Sequence, residues 1–554
     1  MMKKFLALLI VAVLALGLVA CGGTGEAEKK GDNFLKLGFS GYSGLFNPIV
    51  ADNTYDQYVC DTIFESLIKL TPEGEYVPGN ICEGWELSNE NKTYTFTVKD
   101  GVKFSDGSPM TTADVEFTFK AMGMPDYKGP RAYAVAGMIG YADYNSGKTQ
   151  TFEGIKVIDE KKISFTFEVA SPANIECFSY GILSKAHYVF TTWEELIAYN
   201  EKPLGTGIMK LDSWAAKQFI KVVKNDAYWD KANAAKIDGV MMLEVSDDAL
   251  LPALQTGEID FAMPAAKADT VKALGEMKGV TTQKYIGNGY TFMCFNTLNP
   301  ILSDVRVRQA LMYGLDRASF IEAEYGSKDL AEVGLAPMSP TSWAFPDKSE
   351  LNAYAFDLEK AGKLLDEAGW KLNADGKREK DGKPFEISWL VYTDSTWPGT
   401  LAGMAFDSWG KLGIKLNVEQ MDFDTVASRT MDAKPGEKDF DIYTMGFQLS
   451  VDPDPTGALF DADAFVEGGF NASGFRDDKS QELIANGKKE FDTEKRAAIY
   501  KEWCKLQNEL IPHVIIAYRN EIWGVNNRVK GMELGTYSDW VTQLGKITLE
   551  APAK

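Results

Sequence analysis

The chain has 554 residues, 58 of them basic and 79 acidic, for a net charge of −21. That length exceeds one compact core and predicts two to four domains, while 45% hydrophobic and 12% aromatic residues exclude wholesale disorder. So acidic a chain repels phosphate backbones, and nucleic acid is not an expected partner.

In chain order, Lys3 and Lys4 precede an uncharged run from Phe5 to Ala20. It is short for a membrane span and has the charged and apolar regions of a secretory signal. It ends in Leu18-Val19-Ala20-Cys21, followed by Gly22-Gly23-Thr24-Gly25. This tetrapeptide resembles the bacterial lipobox, which implies a signal over 1–20, cleavage before Cys21, lipid on that residue and a tether over 21–31. The remaining cysteines, Cys60, Cys82, Cys177, Cys294 and Cys504, are odd in number and widely spaced. They form no disulfide framework, although pairing of Cys60 with Cys82 stays open. With two histidines and no C-x-x-C, no metal site and no cofactor are expected.

From Phe34 the pattern changes to short strands. Lys92 to Lys99 alternates, with Tyr94, Phe96 and Val98 on one face. Thr112 opens a helix to about Ala121, and Ile155 to Val169 predicts a strand pair turning at Asp159-Glu160-Lys161. Pro203-Leu204-Gly205-Thr206-Gly207 is a glycine-rich junction without the Lys-Ser/Thr of a phosphate loop. Ala249 to Leu254 predicts a short helix. Leu358 to Ala368 predicts a longer one that buries Leu364 and Leu365 and stops at Gly369. Phe385–Tyr392 and Ile414–Val418 flank a helix near Leu401 to Leu412, a βαβ-like order that predicts α/β layering. Arg496 to Leu510 is a further amphipathic helix.

In ILSDVRVRQALMYGLDR, residues 301–317, Ser303 or Asp304 caps a helix whose apolar stripe is Val307, Leu311 and Leu315. Arg306, Arg308 and Arg317 point away from that stripe and are expected to be solvated or ion-paired. Phe295-Asn296-Thr297, then Asp304-Val305-Arg306-Val307-Arg308-Gln309-Ala310-Leu311, then Asp316-Arg317, resembles the signature of the oligopeptide- and dipeptide-binding family of ABC-importer solute-binding proteins. Further resemblances keep chain order: Leu45-Phe46-Asn47-Pro48, Phe104-Ser105-Asp106-Gly107, Gly205-Thr206-Gly207 with Tyr228-Trp229, Leu254-Gln255-Thr256-Gly257, and Ala361 to Trp370. They span about 35–520.

The resemblance implies a periplasmic-binding-protein-like α/β fold (type II, cluster C): two hinged bodies made of three lobes, with a cleft between them. Lobe I takes 32–70, 205–288 and 520–554, lobe II takes 71–204, and lobe III takes 289–519. It implies a monomer that captures short peptides and delivers them to ABC permease subunits, anchored to the bilayer through Cys21 on the outer face of a membrane. The peptide would pair with the strand of Phe440 to Phe447, ending in Gly446 and Phe447. Asp452 falls one or two residues from the family's ammonium-binding aspartate; either the loop shifts and Asp452 serves, or the amine is not read there. Arg429 matches an arginine near the peptide carboxyl end. Asp422 falls where a pocket tryptophan is expected, with Phe423 beside it to supply aromatic area instead; Trp397 is placed to cover the ligand, Tyr133 to reach in from lobe II, and Thr54 and Tyr55 to face the cleft. An oligosaccharide or other small solute on the same scaffold is the alternative, and a nickel chelate is disfavoured by the positions of His187 and His513. A secreted hydrolase is not expected, since Gly41-Tyr42-Ser43-Gly44 stops one residue short of a nucleophile elbow.

Overall fold

The computed structural model describes residues 33–454 and 459–550. Cys21, with the expected signal and tether, lies outside the described residues. Residues 34–550 form one compact unit, organised by a twelve-stranded mixed sheet. Its strands are β1 (Phe34–Phe39), β2 (Met209–Ala215), β3 (Phe219–Lys224), β4 (Gly239–Glu244), β5 (Phe261–Ala262), β6 (Val280–Ile286), β7 (Gly289–Phe295), β8 (Ala331–Val333), β9 (Glu386–Tyr392), β10 (Lys415–Met421), β11 (Ile442–Gln448) and β12 (His513–Asn526).

The spatial order is β10-β9-β11-β7-β12-β5-β1-β4-β3-β2, with β6 and β8 also paired to β12. The fourteen-residue β12 thus stands at the centre. It pairs antiparallel with β7 through residues 513–517 and with β6 through 520–526. Two apolar cores meet along it. One runs from Leu250 to Ile522; the other joins Leu35 through Met242 to Phe261 and to Trp523 through Ile547. A separate four-stranded antiparallel sheet is built from Cys82–Ser88, Thr93–Val98, Lys162–Thr166 and Ile155–Val157. Tyr94, Phe96 and Val98 are all buried on one face of it, as the alternation predicts. β9 and β10 pair in parallel around a helix at Trp397–Lys411, the βαβ order expected.

The junction glycines are explained by backbone approach. A Cβ on Gly205 would sit 2.2 Å from the Ile63 carbonyl oxygen, and one on Gly207 would sit 2.5 Å from it, so only glycine fits. Gly207 N–H donates to that carbonyl at 2.7 Å, seating the junction on the end of α1 (Thr54–Ile63). The five cysteines of the described residues are all free, so Cys60 and Cys82 do not pair.

The arginine stretch needs correcting. α2 (Val305–Tyr313) is capped by Asp304 and buries Val307 and Leu311 as expected, and Arg306 is exposed and paired with Asp304 at 2.7 Å. Arg308 and Arg317, however, are only 4% and 2% exposed, and both donate to backbone carbonyls. Arg308 donates to Leu302, Ser303, Leu510 and Ile511 oxygens at 2.6–3.1 Å. It thereby closes the C-terminus of α4 (Thr493–Leu510), where a cation complements the helix dipole. Arg317, the first residue of α3 (Arg317–Tyr325), donates to Gly334, Ile515 and Ala353 oxygens. Burial lowers both guanidinium groups to about 10, which leaves them charged at neutral pH. A fork of N–H donors can collect converging carbonyls that the helix period says nothing about.

His513, at the start of β12, stacks on Phe292 at 4.9 Å and packs against Phe460 at 4.7 Å. Neither ring nitrogen has a hydrogen-bond partner among the described residues, and burial lowers its pKa to about 3. The folded state therefore holds the ring neutral while the unfolded state takes a proton below about pH 6.5. Its contribution is complete above that pH and is lost as pH falls towards 3, at about 1.4 kcal/mol per unit. Glu176 and Asp61, both raised to about 7 by burial, act in the opposite sense, so a comparison with a variant isolates the histidine. Urea melts at pH 6.5 and pH 5 should show His513→Leu relieved of about 2 kcal/mol of acid destabilisation. Parallel pH curves for the two proteins would refute this.

Candidate functional site

β7 pairs with β11 along its whole length, Gly289 with Gln448 through Phe295 with Ile442. On the other side β9 reaches only Ile442 and Tyr443. No strand among the described residues pairs with that edge of Thr444–Gln448. Gly446 and Gln448 are exposed there, and Phe447 is half-buried between Tyr290 at 6.0 Å and Phe470 at 6.1 Å. A Cβ on Gly446 would meet nothing within 4 Å. This open edge of a central strand offers main-chain donors and acceptors to an extended ligand.

The strand continues into a loop pinned by Asn288, whose Nδ2 donates to the Leu449 and Ser450 carbonyls. Asp452 follows, 7% exposed. Its carboxylate takes both Nη atoms of Arg496, at 2.5 and 2.8 Å. The Arg496 Nε donates to the Gly487 carbonyl, and its guanidinium lies over Tyr500 at 5.4 Å. Asp452's backbone N–H donates across to Glu176 Oε1 at 3.0 Å, and Tyr76 Oη donates to the same oxygen at 2.6 Å. Glu176 sits on a 3-10 turn, Pro172–Phe178, fixed by a Ser171 cap. Burial, with Asp452 and Asp454 nearby, pushes its carboxyl up to about 7 against the Tyr76 hydrogen bond.

A second feature is a cavity of about 390 Å³ bounded by α1, Arg131 and Asp539. Thr54 and Asp61 line it. The Asp61 side chain is exposed at the cavity wall, yet protein surrounds it on a longer scale, and that burial pushes its carboxyl up to about 7. Arg131 donates to the Ala51 carbonyl at 2.7 Å and lies over Tyr180 at 5.1 Å. Tyr133, 60% exposed, meets Tyr180 edge-on and hydroxyl to hydroxyl. Tyr55 stacks on Phe39 at 4.7 Å.

The remaining expected residues divide. Trp397 is 6% exposed and packs edge-on to Tyr392, which also meets the half-exposed Phe423. Asp422 caps the helix Phe423–Arg429, accepting from Thr425 N–H at 2.8 Å. Arg429 is ion-paired with Glu419 at 2.8 Å and Asp439 at 3.1 Å. The structure thus gathers Gly446, Phe447 and Asp452 on one strand and loop, and Thr54 and Arg131 at one cavity; it sets Arg429 and Asp422 on a helix with partners of their own. Sequence reasoning missed Glu176, Tyr76 and Arg496, for which no local motif exists.

An open strand edge beside enclosed carboxylates, on a scaffold with two cores, defines a solute-binding module. Residues 75–463 match the family model "Bacterial extracellular solute-binding proteins, family 5 Middle", and the chain belongs to that family. Its members are solute-binding proteins of ABC transporters that work outside the cytoplasm, not enzymes. Among curated relatives, the oligopeptide-binding protein AppA of Bacillus subtilis is 26% identical over 94% of both chains. The oligopeptide-binding protein OppA of Lactococcus lactis subsp. cremoris is 30% identical over 82% of this chain and 79% of its own. Two solved structures show the same two-body α/β fold. The substrate-binding protein CtaP of Listeria monocytogenes has a TM-score of 0.78 at 22% identity, covering 94% of this chain and 100% of that one. Lactococcal OppA, closed on an endogenous peptide, has 0.71 at 24%, covering 93% and 99%.

Proposed function

We propose that this protein is the peptide receptor of an ABC importer, anchored by lipid on Cys21 and handing captured peptides to a membrane permease. The observation that carries this reading is the unpaired edge of Thr444–Gln448. A peptide adding there gains main-chain hydrogen bonds without any demand on its side chains, and the names of the two curated relatives agree with it. The lobes in this reading are 32–70 with 205–288 and 520–554, then 71–204, then 289–519. The bond between Asp452 and Glu176 then joins the third lobe to the second and belongs to the closed form. Contacts made to both bodies supply the differential affinity that drives closure. Gly446, Phe447 and Asp452 bound the main-chain site; Thr54, Tyr55, Tyr133, Trp397 and Phe423 supply walls; Asp422 and Arg429 lie at its far end.

The test is native mass spectrometry of residues 22–554 purified without denaturant. A heterogeneous set of bound masses that fragment as peptides is expected. A single non-peptide mass, such as an oligosaccharide, would overturn the peptide reading and leave the receptor scaffold standing.

A further inference from the structure

The hairpin that pairs Ile68–Leu70 with Tyr76–Pro78 stands beside two contacts to 289–519. One is described above: its Tyr76 holds Glu176, which receives the Asp452 N–H. The other starts at its turn. Gly74 has φ 82°, and a Cβ there would lie 2.8 Å from two ring carbons of Tyr537. The half-buried Tyr537 ring is therefore seated on bare backbone, a seat that only glycine leaves open. The far end of that ring meets a different segment: Thr341 Oγ1 donates to Tyr537 Oη at 3.3 Å.

Both halves of this link are set in advance. Tyr537 sits at the tip of a tight turn in which Gly535 and Ser538 each donate an N–H to the other's carbonyl, at 2.9 and 3.1 Å. Behind the turn, the buried Gln543 Nε2 donates to the Glu533 and Asp539 carbonyls at 2.6 and 3.0 Å, and its Oε1 accepts from Glu533 N–H. Gln283 of β6 bonds the main chain of Met532 and Leu534. At the tip itself, Thr536 Oγ1 donates to the Ile286 carbonyl at 2.8 Å, where β6 ends and the chain crosses into 289–519. On the facing side, Ser339 is 1% exposed. It meets Thr341 hydroxyl to hydroxyl at 2.8 Å and accepts the Thr341 N–H at 3.3 Å. Groups braced in this way lose little freedom when they bond. None of these contacts needs anything from a solute.

We propose that Tyr537 is a built-in latch of the closed form, joining 520–554 and 71–204 to 289–519 through Thr341 whether or not a solute is bound. The latch rests on the lobe division given under the proposed function, and not on peptides being the ligand. One hydroxyl pair then helps to set the open-to-closed ratio of the empty protein. The apparent affinity for any solute that needs the closed form scales with the closed fraction so provided.

The test is small-angle X-ray scattering of residues 22–554, stripped of bound solute by unfolding and refolding, with each profile fitted as a mixture of an open and a closed form. Tyr537→Phe and Thr341→Val should each raise the open-to-closed ratio about three- to tenfold, the worth of one hydrogen bond, at unchanged melting temperature. The double variant should open no further than either single, because both remove the same bond. Thr341→Ser keeps the hydroxyl and should match wild type. Tyr537→Ala, which also empties the seat on Gly74, should open at least as far as Tyr537→Phe. Single variants that share the wild-type ratio overturn the latch, and so does a double variant whose effect is the product of the two singles. If a random pentapeptide pool still compacts those variants, the lobe division stands without the latch. One unchanging profile for every variant, with and without the pool, takes the lobe division down as well.

Discussion

Replacing Arg496 with methionine should cost about 3–5 kcal/mol of stability, read as a lower urea midpoint at unchanged slope. Arg496 and Asp452 are 4% and 7% exposed and meet through two parallel hydrogen bonds. Removing the cation leaves a carboxylate that cannot reach water, beside Asp454, itself held above the usual carboxylate range by burial. The penalty is the stranded charge, not the net worth of the pair. Hence the double variant Arg496→Met with Asp452→Leu should be far less damaging than the sum of the two singles. Additive losses would show that the two side chains do not act as a pair.

The second large effect is expected at Arg317. Arg317→Leu leaves the carbonyls of Gly334, Ile515 and Ala353 without a donor they now have. At about 1–3 kcal/mol for each of the two buried acceptors, Gly334 and Ile515, the loss should be about 2–6 kcal/mol. Arg306→Leu, eleven positions earlier and exposed, breaks a surface pair with Asp304 and an exposed bond to the Glu367 carbonyl and should cost no more than about 1 kcal/mol. Equal urea midpoints for the two variants would refute the distinction between a buried carbonyl clamp and a surface ion pair.

That distinction marks where the sequence stopped being legible. Local periodicity located α2, the 93–98 strand and the βαβ order around Trp397–Lys411, because those depend on residues within one or two turns of each other. It placed Arg308 and Arg317 outside the packed face, solvated or ion-paired, because their partners lie up to about two hundred positions away and a helical wheel assigns a charged residue outward by default. The same limit applies at the site. The strand at 442–448 was placed, as 440–447, by its likeness to a family alone. Asp452, by contrast, reads as an available carboxylate until Arg496, on another helix, is seen to hold it. Glu176 carries no motif at all; its interest arises from what surrounds it in space.

The central position of β12 has a consequence for how the molecule comes into being. Take it away and the sheet falls into two pieces, β10-β9-β11-β7 on one side and β5-β1-β4-β3-β2 on the other. Its residues up to Ile522 belong to one core and those from Trp523 onward to the other. Ribosomes deliver this strand after every other strand of the sheet. Until about residue 526 has emerged, neither piece has its closing edge, and long-range pairing of this kind is slow to form. The nascent chain is thus kept from joining its two halves until the other eleven strands of the sheet have been made.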